Sequence, residues 1–393
     1  MKFDFILFEN AYNIENHYKD LSMSASLLSK MGYSVAIADV FKEEELCRLE
    51  DIPHIKLKLR CPQYFSTLSK FRKPVSGIRF HFNRILQGLY LIYAIFALRN
   101  KAKNFYIGSL TSYTPLLWLY FLSPQRNYFI WGLRSNTLEV WRQQSFNSFT
   151  ISSFLIERRI KNCNRIKVVV SNEIIRQEFI KLGIAETRIV VKPERWIVDK
   201  LVESPRVIHN KKYKLNLLTI GTLRKSKHVE FVLQSLQELN DNEISYTIAG
   251  RCRDANGYEE MISQFSQGVP NVVRKNYFID ESEYETLLSE CDFLVLCDEP
   301  ELSCASNGTM AEAMIMGIPI IAPNHNPFKY EVERYDIGLL YDFYDIKSLA
   351  NVLLKAKSIG PRFFSTNISR YQETIREKNV IVSMKEQLNN ILQ

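Results

Sequence analysis

The sequence predicts an α/β protein of two domains, each built around a parallel β-sheet. The chain has 393 residues, which is too long for one ordinary hydrophobic core and fits two domains. Short apolar segments of strand length alternate with helical segments of about ten residues, the pattern typical of parallel sheets. A polar, irregular stretch from about Trp196 to Tyr213 places the domain boundary near 200–212.

The N-terminal half begins with a predicted βαβ unit. Residues 3–8 are the first strand, the helix that follows ends at Gly32, and residues 33–38 are the next strand, so the start is interpreted as a buried strand and not as a signal peptide. Asp39 follows where dinucleotide-binding folds place a ribose-binding acid. Because the chain lacks a GxGxxG loop there, a solvated strand-end acid is the favoured interpretation.

Residues 85–98 are apolar, but a spanning helix needs about 20 residues. We interpret them as a core helix with basic flanks, with an interfacial membrane surface as the alternative. Three shorter elements follow before the boundary: a strand at 168–171, a helix at 173–182 and a strand at 188–192.

The C-terminal half repeats the alternation between residues 215 and 356. Its predicted strands are 215–220, 246–249, 293–297 and 318–322, and its predicted helices are 229–239, 281–290, 309–316 and 346–356. Ligands of parallel sheets bind at the carboxyl ends of the strands, so we expect binding residues in the loops that follow them.

Charge is distributed unevenly along the chain. Residues 1–200 carry 30 Lys and Arg against 17 Asp and Glu, whereas residues 201–393 carry 21 against 26. No acid occurs between Asp51 and Glu139, a stretch with 13 basic residues. Such a surface attracts the phosphates of an anionic membrane or of nucleic acid. Nucleic acid is disfavoured, since the sequence has no zinc finger, RNA-binding aromatic motif or helix-turn-helix signal.

The seven cysteines are widely spread, with no CxxC pair and no histidine at a metal-ligand spacing. They are interpreted as reduced thiols in a reducing compartment, and no metal site is expected. Together with the basic N-terminal half, this predicts a cytoplasmic protein that is peripheral to the inner face of the membrane.

The segment GTLRKSKH (221–228) has the residue types of a phosphate site. It follows a strand and opens a helix, whose unpaired amides and dipole favour anions. Arg224, Lys225 and Lys227 add three cations, of which an arginine can bind two phosphate oxygens at once.

The segment SCASNGTMAEAMIMGIPIIAP (303–323) is interpreted as a second binding loop that leads into a helix. Ser306 or Asn307 can cap the helix, and Gly308 admits a ligand close to the backbone. The amides of Thr309 and Met310 are then expected to point at an anion or a sugar hydroxyl. Glu312, one turn inside the helix, is suited to accept hydrogen bonds from a ribose diol.

These segments resemble glycosyltransferase family 4 and its relatives. The matching stretches, in family order, are IGTLRKSKHVEFVLQSL (220–236), YTIAGRCRD (246–254), SECDFLVLCDEPE (289–301), SNGTMAEAMIMGIPIIAP (306–323) and DIGLLYD (336–342). The N-terminal half resembles the family only loosely, mainly in residues 168–194. The resemblance implies a GT-B fold, in which two Rossmann-like domains face each other across a cleft.

In this assignment residues 1–205 bind the acceptor and residues 206–370 bind the nucleotide-diphosphate sugar. Residues 371–393 are expected to form a C-terminal helix that packs back on the N-terminal domain. The resemblance also implies transfer with retention of configuration, without a metal or other cofactor.

The resemblance and the loops together give a set of candidate site residues. Catalytic roles fall on Arg224, Lys227 and Glu312. Donor contacts fall on Gly221, Thr222, Arg251, Cys304, Ser306, Asn307, Gly308 and Thr309. The acceptor side is assigned Asn10, Trp131 and Arg134, the last two lying in FIWGLRSN (129–136).

Three positions depart from the family pattern. Cys304 stands where the first of two glutamates contacts the donor sugar, whereas the second glutamate matches Glu312. Thr222 stands where an arginine follows the glycine, and Arg224 is its candidate replacement. The N-terminal histidine that often faces the reaction centre is absent at the expected place. These departures leave the donor sugar and the catalytic contacts open.

The sequence therefore predicts a hexosyltransferase that acts on a glycan or lipid-linked acceptor at an anionic membrane surface. One alternative is a sugar-nucleotide epimerase of the same fold, which would need acids or bases that we cannot place. The other is a non-catalytic sugar-nucleotide-binding protein, which the departures at Cys304 and Thr222 keep open.

Overall fold

The computed structural model describes residues 2–9, 14–41, 51–61, 89–108, 126–131, 158–198, 212–253, 257–300 and 307–392. The chain divides into two compact units, Met1–Lys192 with Ile381–Gln393, and Pro193–Val380. The expected boundary at 205–206 falls on residues 199–211, outside the described residues, and stays a prediction. Each unit contains one parallel sheet, as the alternation of elements predicts.

The first unit contains a seven-stranded sheet of order β3-β2-β1-β4-β5-β6-β7. Its strands are β1 (Phe3–Phe8), β2 (Val35–Phe41), β3 (His54–Cys61), β4 (Ala102–Ile107), β5 (Asn127–Ile130), β6 (Ile166–Val170) and β7 (Ile189–Val191). Within the described residues its helices are α1 (Ile14–Lys30), α2 (89–98), α3 (158–162) and α4 (Glu173–Lys181). The last helix of the chain, α12 (Glu377–Leu392), joins this unit from Ile381 onward, where Gln387 accepts a hydrogen bond from the Val191 amide at 2.8 Å.

The apolar α2 is a core helix, as the sequence predicts. Leu91, Ile95 and Leu98 are buried in the same cluster as Ile6 and Phe8 of β1. None of the helices in the described part of the chain combines the length and apolar character needed for a membrane span.

The second unit contains a six-stranded sheet of order β10-β9-β8-β11-β12-β13. Its strands are β8 (Leu215–Ile220), β9 (Ile244–Ala249), β10 (Val272–Lys275), β11 (Phe293–Val295), β12 (Ile320–Pro323) and β13 (Gly338–Tyr341). Its helices are α5 (Val229–Leu239), α6 (Tyr258–Gln267), α7 (Glu281–Glu290), α8 (Gly308–Ile315), α9 (Phe328–Tyr335), α10 (Ile346–Ile359) and α11 (Ser365–Thr374).

The central strands of this unit are apolar because helices cover both faces of a parallel sheet. β8, β11 and β12 are almost fully buried and form one core with α5 and α10, through residues such as Leu233 and Leu353. The edge strand β10 is less buried and carries Arg274 and Lys275, which explains why apolar patterning does not single it out.

One half-buried acid in this unit gives a test of stability. Burial raises the pKa of Glu331, on α9, from its usual 4.5 to about 7, against the opposing charge of Arg334. Because the pKa of Glu331 is higher in the folded state than in the unfolded state, folding favours the neutral acid. The contribution of Glu331 to the free energy of unfolding is therefore fully present below its unfolded-state pKa and is lost as the pH rises through 7.

Glu331→Gln imitates the neutral acid, so we expect it to raise the free energy of unfolding more at pH 8 than at pH 5.5. The difference should be about 1–2 kcal/mol, because the side chain is only half-buried. Urea titrations of both chains at the two pH values measure it. Glu333→Gln, an exposed position on the same helix, is the control. Equal gains at both pH values would contradict the assignment.

Candidate functional site

The topology of the second unit marks one crevice. From β8 the chain moves outward to β9 and β10, then returns to place β11 on the other side of β8. Ligands of open α/β sheets bind at this switch point, beyond the carboxyl ends of the two strands. Gly221 follows β8 directly, and the segment that follows β11 leads to Asn307 at the start of α8.

Two glycines bring the loops together at this point. Gly221 has φ +112° and Gly250, after β9, has φ +125°, both in the region that favours glycine. A β-carbon on Gly250 would lie 1.9 Å from the carbonyl oxygen of Gly221. Since no side chain fits there, the segment after β9 can pack directly against the loop after β8.

Lys227 and Thr309, two of the candidate residues from the sequence, lie close to a third, Gly221. A β-carbon on Gly221 would lie 3.8 Å from Thr309 Oγ1 and 3.9 Å from Lys227 Nζ. Lys227 is half-buried, and within the described residues its ammonium has no carboxylate partner. The structure therefore places a cation and a hydroxyl beside a backbone that a ligand can approach closely.

The other loop cations lie nearer the surface. Arg224 precedes the 3-10 turn Lys225–Lys227, and its side chain is exposed. Arg251 is also exposed, while its carbonyl accepts from the Leu223 amide at 3.1 Å and so supports the same loop. Thr222 is half-buried within it. These side chains are accessible to an anion.

The start of α8 differs in one respect from the expectation. Asn307 caps the helix, and its Oδ1 accepts from the Met310 amide at 3.0 Å. The expectation that the Met310 amide points at a ligand is therefore wrong, because the cap occupies it. Asn307 Nδ2 donates to Asp298 Oδ2 at 3.0 Å, which ties the cap to the segment after β11. Cys304 and Ser306 lie outside the described residues.

Glu312 is held by two residues of the same unit. Its Oε2 accepts from the Tyr284 hydroxyl at 2.5 Å, and its Oε1 lies 3.8 Å from Arg195 Nε. Burial and the nearby Glu312 charge raise the pKa of Tyr284, so its phenol stays a donor. The Glu312 side chain is 36% exposed, so its carboxylate keeps acceptor capacity for a ligand.

Sequence reasoning missed both of these contacts to Glu312. Tyr284 is 28 positions away on a different helix, and Arg195 is farther still, just before the stretch we assigned to the linker. No local pattern identifies either residue as a partner, since only the packing of α7 and α8 brings Tyr284 to the carboxylate.

The first unit has a switch point of its own, between β1 and β4. Glu9 follows β1 and is almost fully buried, and a β-carbon on Gly108 would lie only 2.2 Å from Glu9 Oε2. Trp131 follows β5, and the ammonium of the buried Lys192 lies 3.7 Å from the centre of a Trp131 ring. Trp131 therefore lies at the carboxyl end of strand β5. Asn10 and Arg134 lie outside the described residues.

Four of the seven cysteines have side chains that the structure describes, and none of these four forms a disulfide. Cys163, Cys252, Cys291 and Cys297 are free thiols. In the described part of the chain, no cluster of three or more His, Cys, Asp or Glu side chains is arranged to hold a metal ion. The prediction that no metal takes part stays a prediction.

A protein-family model matches part of the second unit. Residues 202–369 match the family model of the glycosyl transferases group 1. No curated protein matches the sequence.

Solved structures are similar over the whole chain. HepE from Anabaena, in complex with UDP and glucose, is 13% identical, with 99% of each chain covered and a TM-score of 0.64. Sucrose-phosphate synthase from Thermosynechococcus elongatus is 13% identical, with 99% of each chain covered and a TM-score of 0.66. The lipopolysaccharide outer core galactosyltransferase WaaB is 14% identical, with 99% and 98% covered and a TM-score of 0.64. At these identities the similarity establishes the fold.

Proposed function

We propose that this chain, a glycosyltransferase of the GT-B fold, transfers a sugar from a nucleotide-diphosphate sugar to a glycan or lipid-linked acceptor. The observation that carries the donor assignment is the convergence of Lys227 and Thr309 on Gly221 at the switch point of the second unit. A half-buried cation without a carboxylate partner among the described residues suits a diphosphate.

The same residues suit the chemistry of the departing diphosphate. As the bond between the sugar and the phosphate breaks, negative charge grows on the leaving group and must be stabilised. The positive charge that stabilises the leaving diphosphate comes from Lys227 and the exposed Arg224, and the N-terminus of α8 adds the positive end of its dipole. This scheme uses no metal or other cofactor. We assign retention of configuration to the reaction on the family resemblance. The acceptor oxygen bonds to the sugar as the bond from sugar to phosphate breaks, and the departing phosphate oxygen takes the acceptor's proton, so this scheme requires no general base from the protein.

Glu312 is proposed to hold the ribose. A carboxylate accepts from both hydroxyls of a diol, and the Tyr284 hydroxyl fixes its orientation at one oxygen. Because Arg195 is 3.8 Å from the other oxygen, the ion pair leaves that oxygen free to accept from a ligand.

A screen of nucleotide sugars tests the proposal. Each compound is assayed for binding by calorimetry and for turnover with and without candidate acceptors. A transferase binds one or a few donors and forms product with an acceptor. A new sugar nucleotide formed without an acceptor would indicate the epimerase, and tight binding without any turnover would indicate the non-catalytic protein.

We further propose that the acceptor lies at an anionic membrane surface. The edge strand β3 exposes Lys56 and Lys58 together with Leu59, which is 59% exposed. On α2, Phe96 is 64% exposed, with the Arg99 guanidinium 4.0 Å from its ring centre. Basic side chains beside exposed apolar ones suit attachment to anionic lipid with shallow insertion.

Sedimentation with vesicles tests this surface. Binding should appear with anionic lipid, weaken as salt rises, and fall in a Lys56→Ser, Lys58→Ser variant, since each basic side chain contributes about 1 kcal/mol at such a surface. A second variant replaces Lys70, Arg72 and Lys73 together with serine, and it too should bind anionic vesicles less. These three residues lie outside the described residues. Lys347→Ser with Lys355→Ser, both exposed on α10, is the control. Equal recovery in the supernatant with neutral and anionic vesicles at low salt would exclude the membrane role.

A further inference from the structure

The residue after Lys227 has an unusual backbone. His228 adopts φ 38° and ψ 41°, in the left-handed region, between the 3-10 turn and the start of α5. A residue with a β-carbon is disfavoured there relative to glycine, so side-chain contacts must stabilise this conformation.

The His228 ring is held on three sides. Nδ1 lies 2.8 Å from Glu230 Oε1, and Nε2 lies 3.3 Å from Glu299 Oε2. One face is parallel to the Phe231 ring, at 5.1 Å between centres and 7° between planes. These three contacts fix the position of the His228 ring.

The two carboxylates are themselves anchored to different parts of the unit. Glu230 Oε2 accepts from the Tyr258 hydroxyl at 2.9 Å, and that hydroxyl accepts from the Val229 amide at 3.1 Å. The Glu299 amide donates to the Ser226 carbonyl at 3.1 Å. Through His228, the phosphate loop (residues 221–228) is therefore fixed to α6 on one side and to the segment after β11 on the other.

We infer that His228 is a positioning residue for Lys227. The two residues are adjacent, so the backbone of His228 sets where the Lys227 side chain starts, and Lys227 Nζ reaches the Gly221 position at the switch point. This inference rests on the proposed role of Lys227 in binding the donor diphosphate. His228 contacts no ligand in this scheme and acts through its neighbour.

The test compares His228→Gly with Lys227→Ala and the double variant. Glycine keeps the left-handed backbone and removes the ring, so it separates positioning from backbone strain. The ligand is whichever of UDP, GDP and ADP binds the unaltered chain most tightly by calorimetry. We expect His228→Gly to raise the Kd about tenfold, as lost contacts to charged groups do. On the Lys227→Ala background it should change the Kd less than twofold. His228→Asn, which tolerates this backbone and keeps one donor, should recover part of the loss.

Asn240→Gly is the matched control, because Asn240 is also left-handed, at φ 45°, at the other end of α5. It should leave the Kd unchanged. A normal Kd in His228→Gly, with Lys227→Ala impaired, would overturn the inference and leave the phosphate site standing. Full additivity of the two losses would show that His228 acts independently of Lys227 and would also overturn it. A normal Kd in Lys227→Ala overturns the phosphate site itself.

Discussion

Lys227→Ala is expected to reduce turnover by about 30- to 1000-fold, the largest effect of any single substitution considered. Removing one cation from a site that stabilises the departing charge costs about 2–4 kcal/mol of transition-state stabilisation. Lys227 is half-buried beside Gly221 and Thr309, so solvent cannot fully replace its charge. Arg224→Ala should also reduce turnover severely if its guanidinium reaches the diphosphate from its exposed position.

The measurement is kcat and kcat/KM with the donor and acceptor found by the screen. A loss confined to KM would assign Lys227 to ground-state binding, whereas a loss in kcat assigns it to the departing diphosphate. Lys355→Ala, at an exposed position on α10, controls for the change in net charge. Unaltered rates in both Lys227→Ala and Arg224→Ala would rule out the phosphate site.

Glu312→Gln should weaken binding of the nucleotide by about tenfold, and Glu312→Ala should weaken it further. The amide keeps the shape of the side chain but loses charge and one acceptor, and hydrogen bonds to charged groups contribute about 1.5–3 kcal/mol. Tyr284→Phe removes the hydroxyl that orients the carboxylate, so its effect should have the same direction and be smaller.

Calorimetry with the free nucleotide checks this prediction without any need for the acceptor. Glu285→Gln, an exposed acid beside Tyr284 on α7, is the control, since it changes the charge by the same amount. If either Glu312 variant binds the nucleotide as tightly as the unaltered chain, the ribose assignment is wrong.

The elements of the second unit were largely predictable because they are encoded locally. The strand at Leu215–Ile220 and the helices at Val229–Leu239 and Glu281–Glu290 have the predicted bounds, since apolar runs and glycine or polar breaks mark them within a few residues. The edge strands β3 and β10 were not predicted, because their charged residues weaken the apolar signal.

The sequence by itself determined the fold class and identified Gly221, Lys227 and Thr309 as candidate residues in the segments that follow β8 and β11. It could not determine which side chains meet, because such contacts depend on strand order and helix packing across long sequence separations. His228 and Glu299 are 71 positions apart, yet their contact fixes the phosphate loop. The Met310 amide, which local reasoning assigned to a ligand, is occupied by the Asn307 cap. Lys227 and Thr309 were each identifiable in the sequence, but the parallel packing of β8 and β11 brings them to Gly221.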